Sequence, residues 1–179
     1  FDHQHFANRL IHLGEQKLES DQWYLSTIHR PENTDDINHL KSILEALQQL
    51  KESVILPAQP RIKKKLAELD AYNKYKNIIF VEPLSYLDTI YFAKNAVKII
   101  TDSGGLHKEA YLMGTPAVVI LRNTGWEETL KGNCNVLAKP DREDILDKVN
   151  HTVIDDSCFG EKYYGDGKTA IKICKILGE

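Results

Sequence analysis

Short apolar runs closed by proline or glycine alternate along this chain with segments whose apolar residues recur at helical spacing. That alternation limits the possible folds more than any other feature, because it marks βαβ units on a parallel sheet. The runs cover residues 23–28, 54–56, 78–81, 97–101 and 117–121. Pro31 and Pro57 close the first two, since proline cannot donate to a sheet ladder. Ile37, Leu40, Ile43, Leu44, Leu47 and Leu50 follow the 3.6-residue period of a buried helix face, and Ile62, Leu66 and Leu69 mark another helix. Further helices are predicted over 86–93, 105–112, 141–151 and 168–177. Phe6, Leu10, Leu13 and Leu18 predict one more, ending near Ser20. The predicted fold is a single doubly wound α/β domain.

Composition excludes several functions. The 179 residues, 42% hydrophobic and 27% charged, suit one globular domain that buries about 70% of its unfolded surface. The longest apolar run, Ala117 to Leu121, is far short of the ~20 residues of a membrane span, so a soluble domain without a membrane partner is expected. A net charge of -3 gives no reason to expect a nucleic-acid partner. Arg61 with Lys63, Lys64 and Lys65 reads as a solvated helix face. Cys134, Cys158 and Cys174 form neither a C-x-x-C pair nor a disulfide framework, which fits a reducing cytoplasm. His3 and His5 have no Cys or carboxylate companions at ligand spacing, so no metal site is expected. No signal peptide is recognised, and the chain opens on Phe1 rather than Met, so a piece of something longer is expected.

In open α/β sheets ligands bind beyond the carboxyl ends of the strands. The polar, Gly-rich and Pro-rich clusters of this chain follow its predicted strands. The most informative is Asp102-Ser103-Gly104-Gly105, where a strand passes through two glycines into a helix start. Free backbone N–H groups and the positive helix end favour a phosphate there. Glu109, one turn on, is placed to accept ribose hydroxyls. Taken alone, the same residues also read as a plain N-cap with a solvated glutamate. His29-Arg30, after the first strand, suits a diphosphate or a proton transfer, or a local hydrogen-bonding role. Tyr164-Gly165-Asp166-Gly167-Lys168 reads as a glycine turn with Asp166 capping the last helix.

In series, residues 27–33 (Thr-Ile-His-Arg-Pro-Glu-Asn), 101–110, Gly114-Thr115-Pro116, 122–129 and Tyr164-Gly165-Asp166-Gly167 resemble the non-hydrolysing bacterial UDP-N-acetylglucosamine 2-epimerases and related UDP-sugar 2-epimerases. The resemblance implies two Rossmann-like domains in the glycosyltransferase-B arrangement, with the active site in the cleft between them. Only the second is resembled here: a connecting helix over 1–22 and a UDP-sugar-binding domain over 23–179. It further implies that His29 is catalytic and lies with Arg30 against the UDP diphosphate. Ser103, Gly104 and Gly105 would hold phosphates, Glu109 the ribose, and Arg122 would also contact UDP. The implied reaction is anti-elimination of UDP to a glycal and re-addition on the other face, with no metal or NAD cofactor. The implied partners are a UDP-sugar, an N-terminal Rossmann-like domain carrying the other acid/base carboxylates, and a second copy in a homodimer. The implied setting is cytoplasmic supply of cell-surface polysaccharide. Pro57-Ala58-Gln59 departs from the family: many members have a His at the position of Gln59, and in several bacterial relatives that His belongs to an activating site for a second UDP-N-acetylglucosamine.

Two other readings remain open: the donor-binding domain of a glycosyltransferase-B enzyme, and a non-catalytic UDP-sugar-binding module. The His-Arg-Pro-Glu-Asn and Tyr-Gly-Asp-Gly segments argue against the first. Epimerisation without an acceptor would separate both from the epimerase.

Overall fold

The structure, a computed structural model, describes residues 22–178. The helix predicted before Ser20 and the pair His3 and His5 lie outside the described residues. In chain order the elements are β1 (Trp23–Thr27), α1 (Pro31–Thr34), α2 (Ile37–Gln48), β2 (Ser53–Pro57), α3 (Pro60–Glu68), α4 (Ala71–Lys74), β3 (Ile78–Val81), α5 (Tyr86–Asn95), β4 (Lys98–Thr101), α6 (Gly104–Met113), β5 (Ala117–Ile120), β6 (Asn135–Ala138), α7 (Arg142–His151) and α8 (Thr169–Leu177). Two 3-10 segments, Glu127–Asn133 and Asp156–Gly160, flank β6 and α7.

The strands form one parallel sheet in the order β3-β2-β1-β4-β5-β6, the doubly wound order with a reversal between β1 and β4. Both faces are covered, and the alternation of side chains divides each apolar run between two cores. Val54 and Leu56 of β2 pack with Leu40, Leu44 and Ile62 on one face. Ile55, with Ile99, Phe92 and Leu106, packs on the other. Residues one apart therefore serve opposite cores, which is why the runs are apolar throughout. Helix starts are capped by side chains: Asp36, Ser85, Ser103 and Asp141 accept backbone N–H bonds from the first turns of α2, α5, α6 and α7.

Three features depart from expectation. The strand β6 is not predicted, because an edge strand of four residues that opens on an asparagine carries little apolar signal. The basic cluster of α3 is at the surface but is not simply solvated. Arg61 bonds the Asp35 carboxylate at 2.8 Å and Lys63 bonds Glu82 at 2.7 Å, while Lys65 donates to the Thr34 carbonyl. The cysteines are not all free: Cys134 and Cys158, 24 residues apart, form a disulfide, and Cys174 is free and exposed. The fold, not sequence spacing, brings that pair together, by packing one 3-10 segment on the other beside Tyr111. With this pair bonded, the cysteines give no indication of a reducing compartment.

Lys98 lies almost wholly buried in β4. Its ammonium donates to the Val149 carbonyl near the end of α7 at 2.6 Å, and burial pushes its pKa down. No described helix is long and apolar enough to cross a membrane. The last helix, α8, has no buried residue and exposes Ile171, Ile173, Ile176 and Leu177.

Candidate active site

β1 and β4 are neighbours in the sheet, and the chain leaves them in opposite directions. This is the switch point at which open α/β sheets form a crevice. Thr27 pairs with Thr101 in register, their hydroxyls 2.6 Å apart. The loops carrying His29-Arg30 and Ser103-Gly104-Gly105 therefore leave the sheet at the same level.

Asp102 ties them together. Its carboxylate is fully buried and accepts from the backbone N–H groups of His29 at 3.0 Å and Arg30 at 2.9 Å. It also accepts from the Asn33 side-chain amide at 3.1 Å. The same amide reaches the Ile120 carbonyl at 3.2 Å, so the loop after β1 is fixed to the ends of both β4 and β5. His29 Nδ1 lies 3.2 Å from Asp102 Oδ1, and the imidazole side chain stays 46% exposed. The residues after Pro31 form the short helix α1, with proline in its first turn, a position that suits its fixed φ.

The Ser103 hydroxyl accepts from the Leu106 N–H at 3.2 Å, so the N-cap reading is realised. It does not account for the glycines. Neither Gly104 nor Gly105 has a positive φ. A Cβ on Gly104 would meet Arg30 Nη2 at 3.5 Å and Trp126 Nε1 at 4.0 Å, and one on Gly105 would meet only Ser103 Oγ at 3.9 Å. All are ordinary contacts. Neither backbone conformation nor internal packing demands glycine here. What the glycines provide is bare backbone at the start of a ten-residue helix, with an arginine guanidinium above it, an arrangement suited to an anion.

Glu109 is half-buried, and the Tyr86 hydroxyl donates to it at 3.3 Å. Its charge pushes the Tyr86 hydroxyl above its ordinary pKa. Arg122, at the end of β5, is exposed and shares a cavity of about 400 Å³ with Arg30, Asn33 and His39. That loop leads into a cavity of about 750 Å³ which Arg122, Lys139 and Lys148 also line. Gln59 precedes α3 and caps nothing with its side chain.

The last motif forms the expected glycine turn, but Asp166 does not cap α8: the N-cap is Lys168, with no side-chain cap bond. Gly165 and Gly167 have φ of +81° and +75°, and Asp166 accepts from the Lys168 N–H at 3.1 Å. Tyr164 packs against Trp126 and Tyr111 with ring centroids 5.9 Å away in each case. Burial, with the Glu128 carboxylate adding to it, pushes the Tyr164 hydroxyl above its ordinary pKa. The Lys108 ammonium stands 4.3 Å from the Trp126 ring centroid, so this segment braces the Gly104 end of α6.

Sequence reasoning assigned no role to Asp102, Asn33 or His107. His107 is fully buried in the first turn of α6. Its Nε2 meets the Thr124 hydroxyl at 3.2 Å, and that hydroxyl accepts from the Trp126 N–H at 3.1 Å. Burial pushes its pKa down, and the Arg30 and Lys108 cations act in the same direction. For Asp102 the available signal was an ionisable side chain directly after the buried strand β4, whereas Asn33 and His107, inside α1 and α6, carried no comparable signal. Among the described residues, no three His, Cys, Asp or Glu side chains cluster to hold a metal ion.

The sequence profile of the family described as UDP-N-acetylglucosamine 2-epimerase matches residues 2–178. The chain is 34% identical over 168 residues to a UDP-N-acetylglucosamine 2-epimerase homolog of Methanococcus maripaludis, with 92% of this chain and 47% of that protein covered. It is 32% identical over 166 residues to the UDP-2,3-diacetamido-2,3-dideoxy-D-glucuronate 2-epimerase of Pseudomonas aeruginosa, with 89% and 45% covered. The structure of the Methanocaldococcus jannaschii UDP-GlcNAc 2-epimerase in complex with UDP-GlcNAc and UDP superposes with a TM-score of 0.77 at 29% identity, covering 98% of this chain and 48% of that one. The chain thus spans about half the length of the curated relatives it matches.

Proposed function

This chain belongs to the UDP-N-acetylglucosamine 2-epimerase family, and from that premise we propose that it is the UDP-holding half of a two-domain enzyme that inverts C2 of UDP-N-acetylglucosamine or a related UDP-hexosamine. The observation that carries the reading is the joining of the His29-Arg30 loop to the Ser103-Gly104-Gly105 helix start through one buried carboxylate. The diphosphate lies between Arg30 and the bare N–H groups of α6, where a fixed cation and helix-end donors stabilise the charge that develops as UDP leaves. The ribose lies toward Glu109. Tyr86 and Leu87, 65% and 63% exposed beside it, offer apolar surface to the base. Arg122 reaches the same crevice from β5. His29, with its imidazole open to the cleft, handles a proton at the sugar.

In this reading UDP is eliminated anti across C1–C2 to a glycal and re-adds on the other face, so both leaving and returning groups must be held. One imidazole cannot reach both faces of a sugar ring, and elimination and re-addition need acid/base groups on each. The remaining groups belong to a preceding Rossmann-like domain, which also closes the cleft and keeps the glycal from leaving. The apolar face of α8, uncovered among the described residues, is surface available to that domain. Homodimer formation, a cytoplasmic setting and supply of cell-surface polysaccharide follow from the family alone.

Deuterated water tests the function. The full-length protein given UDP-N-acetylglucosamine and no acceptor should form the C2 epimer and carry deuterium at C2, and a His29→Ala variant should lose both. The 179-residue chain alone should exchange nothing. No label with the full-length protein would overturn the epimerase reading in favour of a donor domain or binding module. Label with the chain alone would overturn the two-domain account.

A further inference from the structure

We infer that Asp102 is the positioning residue of His29: it fixes the imidazole in the tautomer protonated at Nδ1 and so presents Nε2 to the ligand. The inference rests on the reading of His29 as the proton-handling group of the site.

The contacts of the buried carboxylate decide the tautomer. Asp102 Oδ2 receives the Arg30 N–H at 2.9 Å, the Asn33 amide at 3.1 Å and, shared with Oδ1, the His29 N–H at 3.1 Å. Oδ1 receives the His29 N–H at 3.0 Å and lies 3.2 Å from His29 Nδ1. Every other neighbour in this set is a donor, and the carboxylate is 0% exposed, so it acts purely as an acceptor. The ring nitrogen facing it must therefore bring a proton. In a neutral imidazole the lone pair then sits on Nε2. Nε2 makes no hydrogen bond among the described residues, and the side chain is 46% exposed. The lone pair is thus left without a partner in the described protein, on a side chain open to solvent. In the opposite tautomer Nε2 would carry a proton and could not accept one, and two acceptors would face each other across 3.2 Å.

The loop bonds and the tautomer bond are separate consequences of one side chain. The backbone N–H groups of His29 and Arg30 need an acceptor whatever the imidazole does. A purely structural Asp102 would shape the loop and leave the tautomer undetermined. Asn at this position offers one acceptor oxygen. When that oxygen serves Arg30, the amide group stands against Nδ1 and donates to it, which moves the ring proton to Nε2.

The test is a long-range ¹⁵N–¹H correlation spectrum of the 179-residue chain labelled on histidine, at a pH where His29 is neutral. The chain has its own core on each face of the sheet, and His29→Gln identifies the signal. The expected spectrum has His29 predominantly protonated at Nδ1, and Asp102→Asn shifts it predominantly to Nε2. A wild-type spectrum with Nε2 protonated overturns the inference, and that result needs no variant to fold. A folded Asp102→Asn chain that keeps the Nδ1 tautomer overturns it as well. UDP added to the same sample separates the two readings. An Nδ1 tautomer in a chain that ignores UDP supports the pairing and overturns the UDP site. UDP binding with the opposite tautomer overturns the pairing alone.

Discussion

Replacing Gly104 by alanine separates a glycine kept for a ligand from one kept for the fold. The backbone there is not in the left-handed region. The added methyl would stand 3.5 Å from Arg30 Nη2 and 4.0 Å from Trp126 Nε1, so no atom has to move. Alanine in place of a compatible glycine removes freedom from the unfolded chain, worth about 0.4–1 kcal/mol. The variant should be as stable as the parent or slightly more so. Binding should move the other way. The methyl fills the space between the first N–H groups of α6 and Arg30, where the UDP diphosphate is placed. Losing one charge-assisted hydrogen bond costs about 1.5–3 kcal/mol, a Kd weaker by roughly 10- to 150-fold. Calorimetric UDP titration and thermal melting of parent and variant read the two quantities. Undiminished UDP affinity in a variant that melts normally would refute the placement of the phosphates.

Glu109→Gln keeps the shape at the ribose position and removes its charge, so UDP affinity should fall by about tenfold while melting is unchanged; equal titration curves would make Glu109 a bystander. Burial holds the His107 pKa down, so below the ordinary value of about 6.5 the unfolded chain binds a proton that the folded chain refuses. Stability should therefore fall as pH drops from 7 to 5.5, by at most about 1.4 kcal/mol per unit. His107→Gln should flatten that slope in urea unfolding, and parallel slopes in the two proteins would contradict the argument. Reduction of Cys134–Cys158 frees a loop spanning 24 residues, a constraint worth about 3 kcal/mol. Dithiothreitol should accordingly lower the unfolding midpoint of the parent, and an unmoved midpoint would show that the pair carries no such constraint.

The sheet was legible because its strands are buried on both faces: a run such as Ile78 to Val81 has no polar position to blur it, and its predicted and observed bounds coincide. The strand β6 escaped notice because Asn135 begins it and its neighbour lies on one side only. At the site, the glycine pair, His29 and Arg30 stand out in the sequence as residue types just after strands, and Glu109 as a carboxylate one turn into the helix that follows. Asp102 was visible as a letter but not as a function. Its role comes from the pairing of β1 with β4, 74 residues apart at Thr27 and Thr101, and no local pattern encodes that register. The disulfide was missed for the same reason. Tyr164-Gly165-Asp166-Gly167 shows the converse: a segment singled out for its resemblance has the geometry of a glycine turn, from which Tyr164 packs on Trp126.

An amide-resolved titration of the 179-residue chain with UDP decides whether the site is where the diphosphate binds. The reading places the diphosphate between the loop after β1 and the start of α6, so the largest shifts should fall on the amides of His29, Arg30, Gly104 and Gly105. Smaller shifts should reach Glu109 and Arg122, while amides of α3 and α7 remain still. Saturating UDP that leaves the Gly104 and Gly105 amides unmoved, or that shifts only residues remote from the β1–β4 switch point, would contradict the site.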